Sequence, residues 1–145
     1  MNVDVIDHPL HLDVYGFSGI AVAKDYAGTA FQHMNKLWKT VTAYNLPNKG
    51  QNIWIYDPGE KVFAGVELEG IPDPLVGLEL RQIRLDRYAR YTHVGPYSLI
   101  QQKGNAMRDE IKRQGLKLIN PYIEIYGHWT NDESKLETDL IMAIQ

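Results

Sequence analysis

The order strand, helix, hairpin runs through this sequence twice, and the two runs keep register at a fixed offset of 70 residues. Ile53-Trp54-Ile55-Tyr56 aligns with Ile123-Glu124-Ile125-Tyr126, and at the same offset Leu37 meets Met107, Val41 meets Ile111 and Leu46 meets Leu116. Units this small cannot bury an apolar face alone, so two of them must share a core. A pseudo-two-fold axis relating the halves is the simplest arrangement that does so.

In the first run, Leu12 to Val22 is rich in β-branched and aromatic residues, interrupted by Gly16 and Gly19, and reads as a strand. Gly28-Thr29 is the expected helix start. Phe31, Met34, Leu37, Trp38 and Val41 then recur at three- and four-residue steps, giving one apolar face, and Asn45-Leu46-Pro47 ends the helix. Asn52 to Tyr56 reads as a short strand, Asp57-Pro58-Gly59 as a turn, and Val62 to Leu68 as the returning strand. Gly70 to Gly77, with Pro72 and Pro74, reads as a linker.

The second run opens with Leu80 to Val94 as one strand-like stretch. Gly95-Pro96 starts a helix whose expected apolar face is Leu99, Ile100, Ala106, Met107 and Ile111, and Gly115 closes it. Tyr122 to Gly127 and Thr138 to Ile144 are strands joined by the polar turn Asn131 to Ser134. The expectation is one α+β domain over residues 1–145, with a first half at about 12–69, a linker at about 70–78 and a second half at about 79–145.

Composition removes several function classes. Fifteen basic residues against eighteen acidic ones give a net charge of −3, without the concentrated basic field that phosphate binding needs, so direct nucleic-acid binding is not expected. The basic stretch Arg81 to Arg90 alternates like a strand and reads as a solvated face. No apolar run approaches the ~20 residues that span a bilayer, and residues 1–9 lack a leader pattern, so no membrane association and a cytoplasmic location are expected. The absence of cysteine excludes disulfides and thiolate metal sites. His8, His11, His33, His93 and His128 do not fall at a metal spacing, and His93 suits a capping or packing role. No phosphate-binding glycine loop appears, and Ser18, Ser98 and Ser134 lack a nucleophile elbow. No metal and no cofactor are expected.

Strand parity singles out one face. Ile123 and Ile125 point one way, while Tyr122, Glu124, Tyr126 and His128 point the other; Ile53 and Ile55 likewise oppose Asn52, Trp54 and Tyr56. The isoleucines are expected to lie under the helices. The opposite face is aromatic and partly polar, which suits a groove for an apolar cation: ring faces attract the cation, and a carboxylate offsets its charge. Glu124, matched by Trp54 in the other half, is the expected central polar contact, with Trp54, Tyr56, Tyr122 and Tyr126 as walls. In an empty groove that carboxyl must keep its proton or borrow a tyrosine hydroxyl.

The segments YARYTHVGPY (88–97), INPYIEIYGHW (119–129) and ETDLIMAI (137–144), with VYGFSGIAVA (14–23) and NIWIYDPGEKVFAGVEL (52–68), resemble the GyrI-like effector-binding domain over essentially the whole chain. The Gly-Pro-Tyr at 95–97 and the Pro-x-x-Glu-x-Tyr at 121–126 are the most specific parts. The resemblance implies a pseudo-symmetric pair of β-α-β-β units in antiparallel sheets, with helices on one face and a ligand groove between the halves. It implies a hydrophobic or cationic small-molecule ligand held at Glu124, as in multidrug-sensing transcription regulators. No helix-turn-helix pattern is read before Leu12 or after Ile144, so a stand-alone member is expected. Two alternatives stay open. One is hydrolysis of cyclopropane-bearing electrophiles, with Glu124 as general base and Tyr126 or Tyr56 as hydrogen-bond donor. The other is a protein-interaction module acting on gyrase or a regulator, with Glu60, Glu67, Glu69 and Glu79 facing the partner.

Overall fold

The computed structural model describes residues 1–145. Eight strands and two helices follow one another: β1 (Asp4–Ile6), β2 (Leu10–Ile20), α1 (Tyr26–Ala43), β3 (Ile53–Asp57), β4 (Lys61–Val66), β5 (Glu79–Leu85), β6 (Tyr88–Val94), α2 (Ile100–Arg113), β7 (Leu118–Tyr126) and β8 (Glu137–Ile144). All pairings are antiparallel, and the strands form one continuous sheet in the order β1-β6-β8-β7-β3-β4-β2-β5. The β-α-β-β units β2-α1-β3-β4 and β6-α2-β7-β8 take equivalent places on either side of the central β3–β7 ladder, as the α+β reading expected. Residues matched by the offset behave alike: Leu37 and Met107 are both fully buried, as nearly are Val41 and Ile111.

In the central ladder Ile53 faces Ile125, Trp54 faces Glu124, Ile55 faces Ile123 and Tyr56 faces Tyr122. Of these pairs only Trp54 and Glu124 are separated by the repeat offset of 70. The axis relating the units therefore passes through that pair.

The stretch from Leu80 to Val94 is two strands broken at Asp86-Arg87. β5 pairs with β2 at one end of the sheet, while β6 lies between β1 and β8 near the other. Two residues thus carry the chain from one end of the sheet to the other, so the sheet must curl until its ends approach. β1, which sequence reasoning missed, forms the far edge: three residues with one acidic side chain carry too little periodicity to read. The units thereby exchange their leading strands, β1 lying beside β6 and β5 beside β2.

Curling fixes where the core sits, and it reverses one expectation. Ile53, Ile55 and Ile123 pack inside the curl with Leu12, Val14, Phe63, Ile83, Leu85 and Ile141, a cluster to which neither helix contributes. The helices cover the other face. Ala30 of α1 meets Trp54, Val62 and Ala64, and Leu37 and Val41 meet Phe17 and Val66. Met107 and Ile111 of α2 meet Ala89, Leu140 and Met142. A strand with both faces covered reads equally well with helices on either side, and only the sheet's curvature decides.

The helix ends also shift. Asp25 caps α1 by accepting the Gly28 amide at 3.0 Å, so the helix starts at Tyr26. The buried stripe of α2 is Ile100, Gly104, Met107 and Ile111; Ala106 and Leu99 are exposed. Gly115, at φ 74°, follows α2 in the left-handed conformation that ends helices.

Candidate functional site

Because α1 and α2 sit over the flanking strands, the middle of their face, at the β3–β7 ladder, is left open. A groove of about 1290 Å³ lies there, with Trp54, Tyr56, Tyr122, Glu124 and Tyr126 among its lining residues. Ligand pockets usually enclose about 300–1,000 Å³, so this one has room for a molecule of several rings. All five residues singled out from strand parity share this space.

Glu124 is 6% exposed, and its carboxylate receives three phenol hydroxyls. Tyr126 and Tyr56 donate to Oε1 at 2.6 and 3.1 Å, and Tyr122 donates to Oε2 at 2.6 Å. Tyr56 and Tyr126 are equivalents under the repeat and reach the same oxygen from the two halves. Tyr122 has Asn52 as its counterpart, so the third hydroxyl breaks the symmetry. None of the ion pairs in the chain includes Glu124. A buried carboxylate without a cation is costly, and hydroxyl donors are what offset it here. They use three of about four acceptor positions.

The tyrosines respond in turn. Burial first, and the charge of Glu124 next, push the hydroxyls of Tyr56, Tyr122 and Tyr126 well above the ordinary phenol range. They are held neutral, as donors.

Trp54 is 6% exposed. Its ring stands edge-on to Tyr126 at 4.8 Å and to Phe31 at 5.5 Å, and its indole Nε1 has no hydrogen-bond partner. Tyr56 stacks on Tyr122 at 5.4 Å, Tyr26 meets the edge of Tyr56 at 6.0 Å, and Tyr97 meets Tyr126 at 5.4 Å. The result is a carboxylate enclosed by aromatic rings.

Several lining residues were missed from sequence. Phe31 belongs to the apolar pattern of α1 yet is 52% exposed, because it flanks the buried stripe on the groove side. Tyr97 follows Gly95-Pro96, where His93 holds the turn through its Nε2 at 2.9 Å from the Pro96 carbonyl. That contact gives His93 the packing role expected of it. Arg108 had no sequence signal beyond Gly104 one turn before it. Two of the acidic residues considered for a protein partner are engaged within the chain: Glu67 pairs with Lys49, and Glu79 accepts the Ser18 amide and hydroxyl.

The sequence matches no protein-family model and no curated protein. Solved structures do resemble it. The EcmrR C-terminal domain superposes with a TM-score of 0.77 at 13% identity, covering 99% of this chain and 97% of that one. SAV2435, solved bound to tetraphenylphosphonium, gives 0.65 at 16% identity over 100% and 94%. A hydrolase from Listeria innocua gives 0.60 at 11% identity over 99% and 91%. At these identities the likeness establishes the fold, which is consistent with the GyrI-like arrangement.

Proposed function

We propose that this chain is a small-molecule-binding domain of the GyrI-like, effector-sensing kind, and that its ligand is an apolar or aromatic cation seated over Glu124. One observation carries the reading: a buried carboxylate, with no cation of its own, sits among aromatic rings at the floor of a groove large enough for a multi-ring molecule. An entering cation supplies the missing counter-charge, and the rings add cation–π attraction of about 0.5–2 kcal/mol per contact. The shared fold of SAV2435, which was solved with tetraphenylphosphonium, supports this choice of ligand class.

Calorimetric titration with tetraphenylphosphonium tests it. Glu124→Gln removes the charge and keeps the shape, and is expected to weaken binding at least about tenfold, or 1.4 kcal/mol. Equal affinity for both proteins refutes the role given to Glu124.

A second reading rests on the 2.6 Å contact between Tyr126 Oη and Glu124 Oε1. In it, Glu124 serves as general base for water attacking a cyclopropane-bearing electrophile, with Tyr126 or Tyr56 donating to the developing oxyanion. Mass spectrometry after incubation with such an alkylator decides: a product heavier by one water supports hydrolysis, and unchanged alkylator removes it.

A further inference from the structure

The groove straddles the two units, and its two walls differ in chemistry. On the α1 wall stand Tyr26, Phe31 and Met34; on the α2 wall stand Gln101, Asn105 and Arg108. The offset of 70 pairs Arg108 with Trp38 and Tyr122 with Asn52. In the first half those equivalents satisfy each other, Trp38 Nε1 donating to Asn52 Oδ1 at 2.5 Å. In the second half the guanidinium of Arg108 lies 5.0 Å from the centre of the Tyr122 ring, and Tyr122 spends its hydroxyl on Glu124. Arg108 is left half-buried in the wall. Its only polar contact is with the side-chain oxygen of Asn105 at 3.3 Å, and no carboxylate lies within ion-pair distance.

The charged groups lining the groove can be accounted for one by one. Asp57 is held bidentately by Arg81 at 2.5 and 2.9 Å, and Asp25 caps α1. Lys24 is exposed at the rim. That leaves Glu124, an anion without a cation, and Arg108, a cation without an anion, both touching Tyr122, one at its hydroxyl and the other over its ring face. Gly104, a buried glycine within α2, leaves room beside Arg108 and the Tyr122 hydroxyl: a Cβ there would stand at ordinary contact, 3.5 Å from Arg108 Nη1 and 3.6 Å from Tyr122 Oη. A simple apolar cation answers Glu124 only, and its charge is opposed by Arg108.

We infer that the groove selects zwitterionic ligands, in which an aromatic cation seated over Glu124 carries a carboxylate or similar anionic group that pairs with Arg108. This rests on the cation reading proposed above and names the ligand class more narrowly. Arg108 acts as a specificity-determining residue. A guanidinium fork suits it, since it binds a carboxylate through two parallel hydrogen bonds.

Rhodamine 110 and rhodamine 123 test this as a matched pair, the second being the methyl ester of the first on the same cationic xanthene. Fluorescence anisotropy titrations are run with the wild type, Arg108→Met, Arg108→Lys and Glu124→Gln. Wild type is expected to bind rhodamine 110 about tenfold more tightly than the ester, equivalent to 1.4 kcal/mol. Arg108→Met should lose that preference while binding the ester at least as well as wild type, which also shows that it folds. Arg108→Lys should keep part of the preference, and Glu124→Gln should weaken both dyes. Equal wild-type affinities for the two dyes, or a preference that survives Arg108→Met, overturn the inference and leave the cation site standing. If neither dye binds, or if Glu124→Gln binds both as wild type does, the cation reading falls and this inference with it.

Discussion

Raising the pH tests the tyrosine clamp directly, with no ligand needed. Free tyrosine ionises near pH 10, whereas Tyr56, Tyr122 and Tyr126 are pushed well above that by burial and by Glu124. A group whose folded value is raised contributes its stability in full below the unfolded value and loses it as pH climbs towards the folded one. Above pH 10 the unfolded chain sheds three protons that the folded chain retains, at about 1.36 kcal/mol per proton per pH unit. The combined slope is therefore about 4 kcal/mol per pH unit, set against a total of about 5–15 kcal/mol for a domain of this kind. Unfolding is expected between about pH 11 and 14. Phenolate absorbance at 295 nm, followed beside far-UV circular dichroism, should show these three of the nine tyrosines ionising only as the fold is lost. In Glu124→Gln the repulsion between carboxylate and phenolate is gone, so they should ionise at lower pH, held up by burial and by one another. Ordinary ionisation of all nine near pH 10, with the dichroism still native, would refute the clamp.

Two glycines should respond in opposite directions. At Gly16 a Cβ would lie 2.0 Å from the Ala64 carbonyl oxygen and 2.6 Å from the Gly65 Cα, both backbone atoms of the neighbouring β4. Gly16→Ala must push two paired strands apart and is expected to lower stability by about 1–3 kcal/mol or more, seen as a reduced urea midpoint. At Gly104 the added Cβ meets only ordinary contacts, and alanine relieves the entropy cost of a mid-helix glycine. Gly104→Ala should raise stability by about 0.5–1 kcal/mol in thermal unfolding, and a loss would mean that the gap beside Arg108 is already filled.

Local features were readable where the chain repeats itself. The match of 53–56 with 123–126 gave the central strands, their parity and the opposition of Trp54 to Glu124, because a two-residue period and a constant offset survive in a bare sequence. What sequence could not decide involves partners far apart in the chain. Parity separated Ile53 and Ile125 from Trp54 and Glu124, yet both faces are covered in the fold, and the choice of which lies towards the helices is made by the curl of the whole sheet. The break at Asp86-Arg87 was hidden because both sides alternate alike and the partners of β5 and β6 lie at opposite ends of the sheet. Arg108 was invisible for a related reason. A lone arginine on a helix has no signature, and its lack of a carboxylate appears only once every neighbour is in place.

The pairing of Trp54 with Glu124 at the seam of the two units also has a consequence in time. Its ladder joins residues 66 to 72 positions apart, from Tyr56–Tyr122 to Ile53–Ile125, whereas β3 and β4 are joined by a tight turn. Ladders that close long loops form slowly, since loop entropy is lost before any contact repays it. On a ribosome the first unit is complete and waiting while its half of the groove faces nothing. Only when Tyr126 has emerged can three hydroxyls close on one carboxylate, so the binding site forms only once both units have been made.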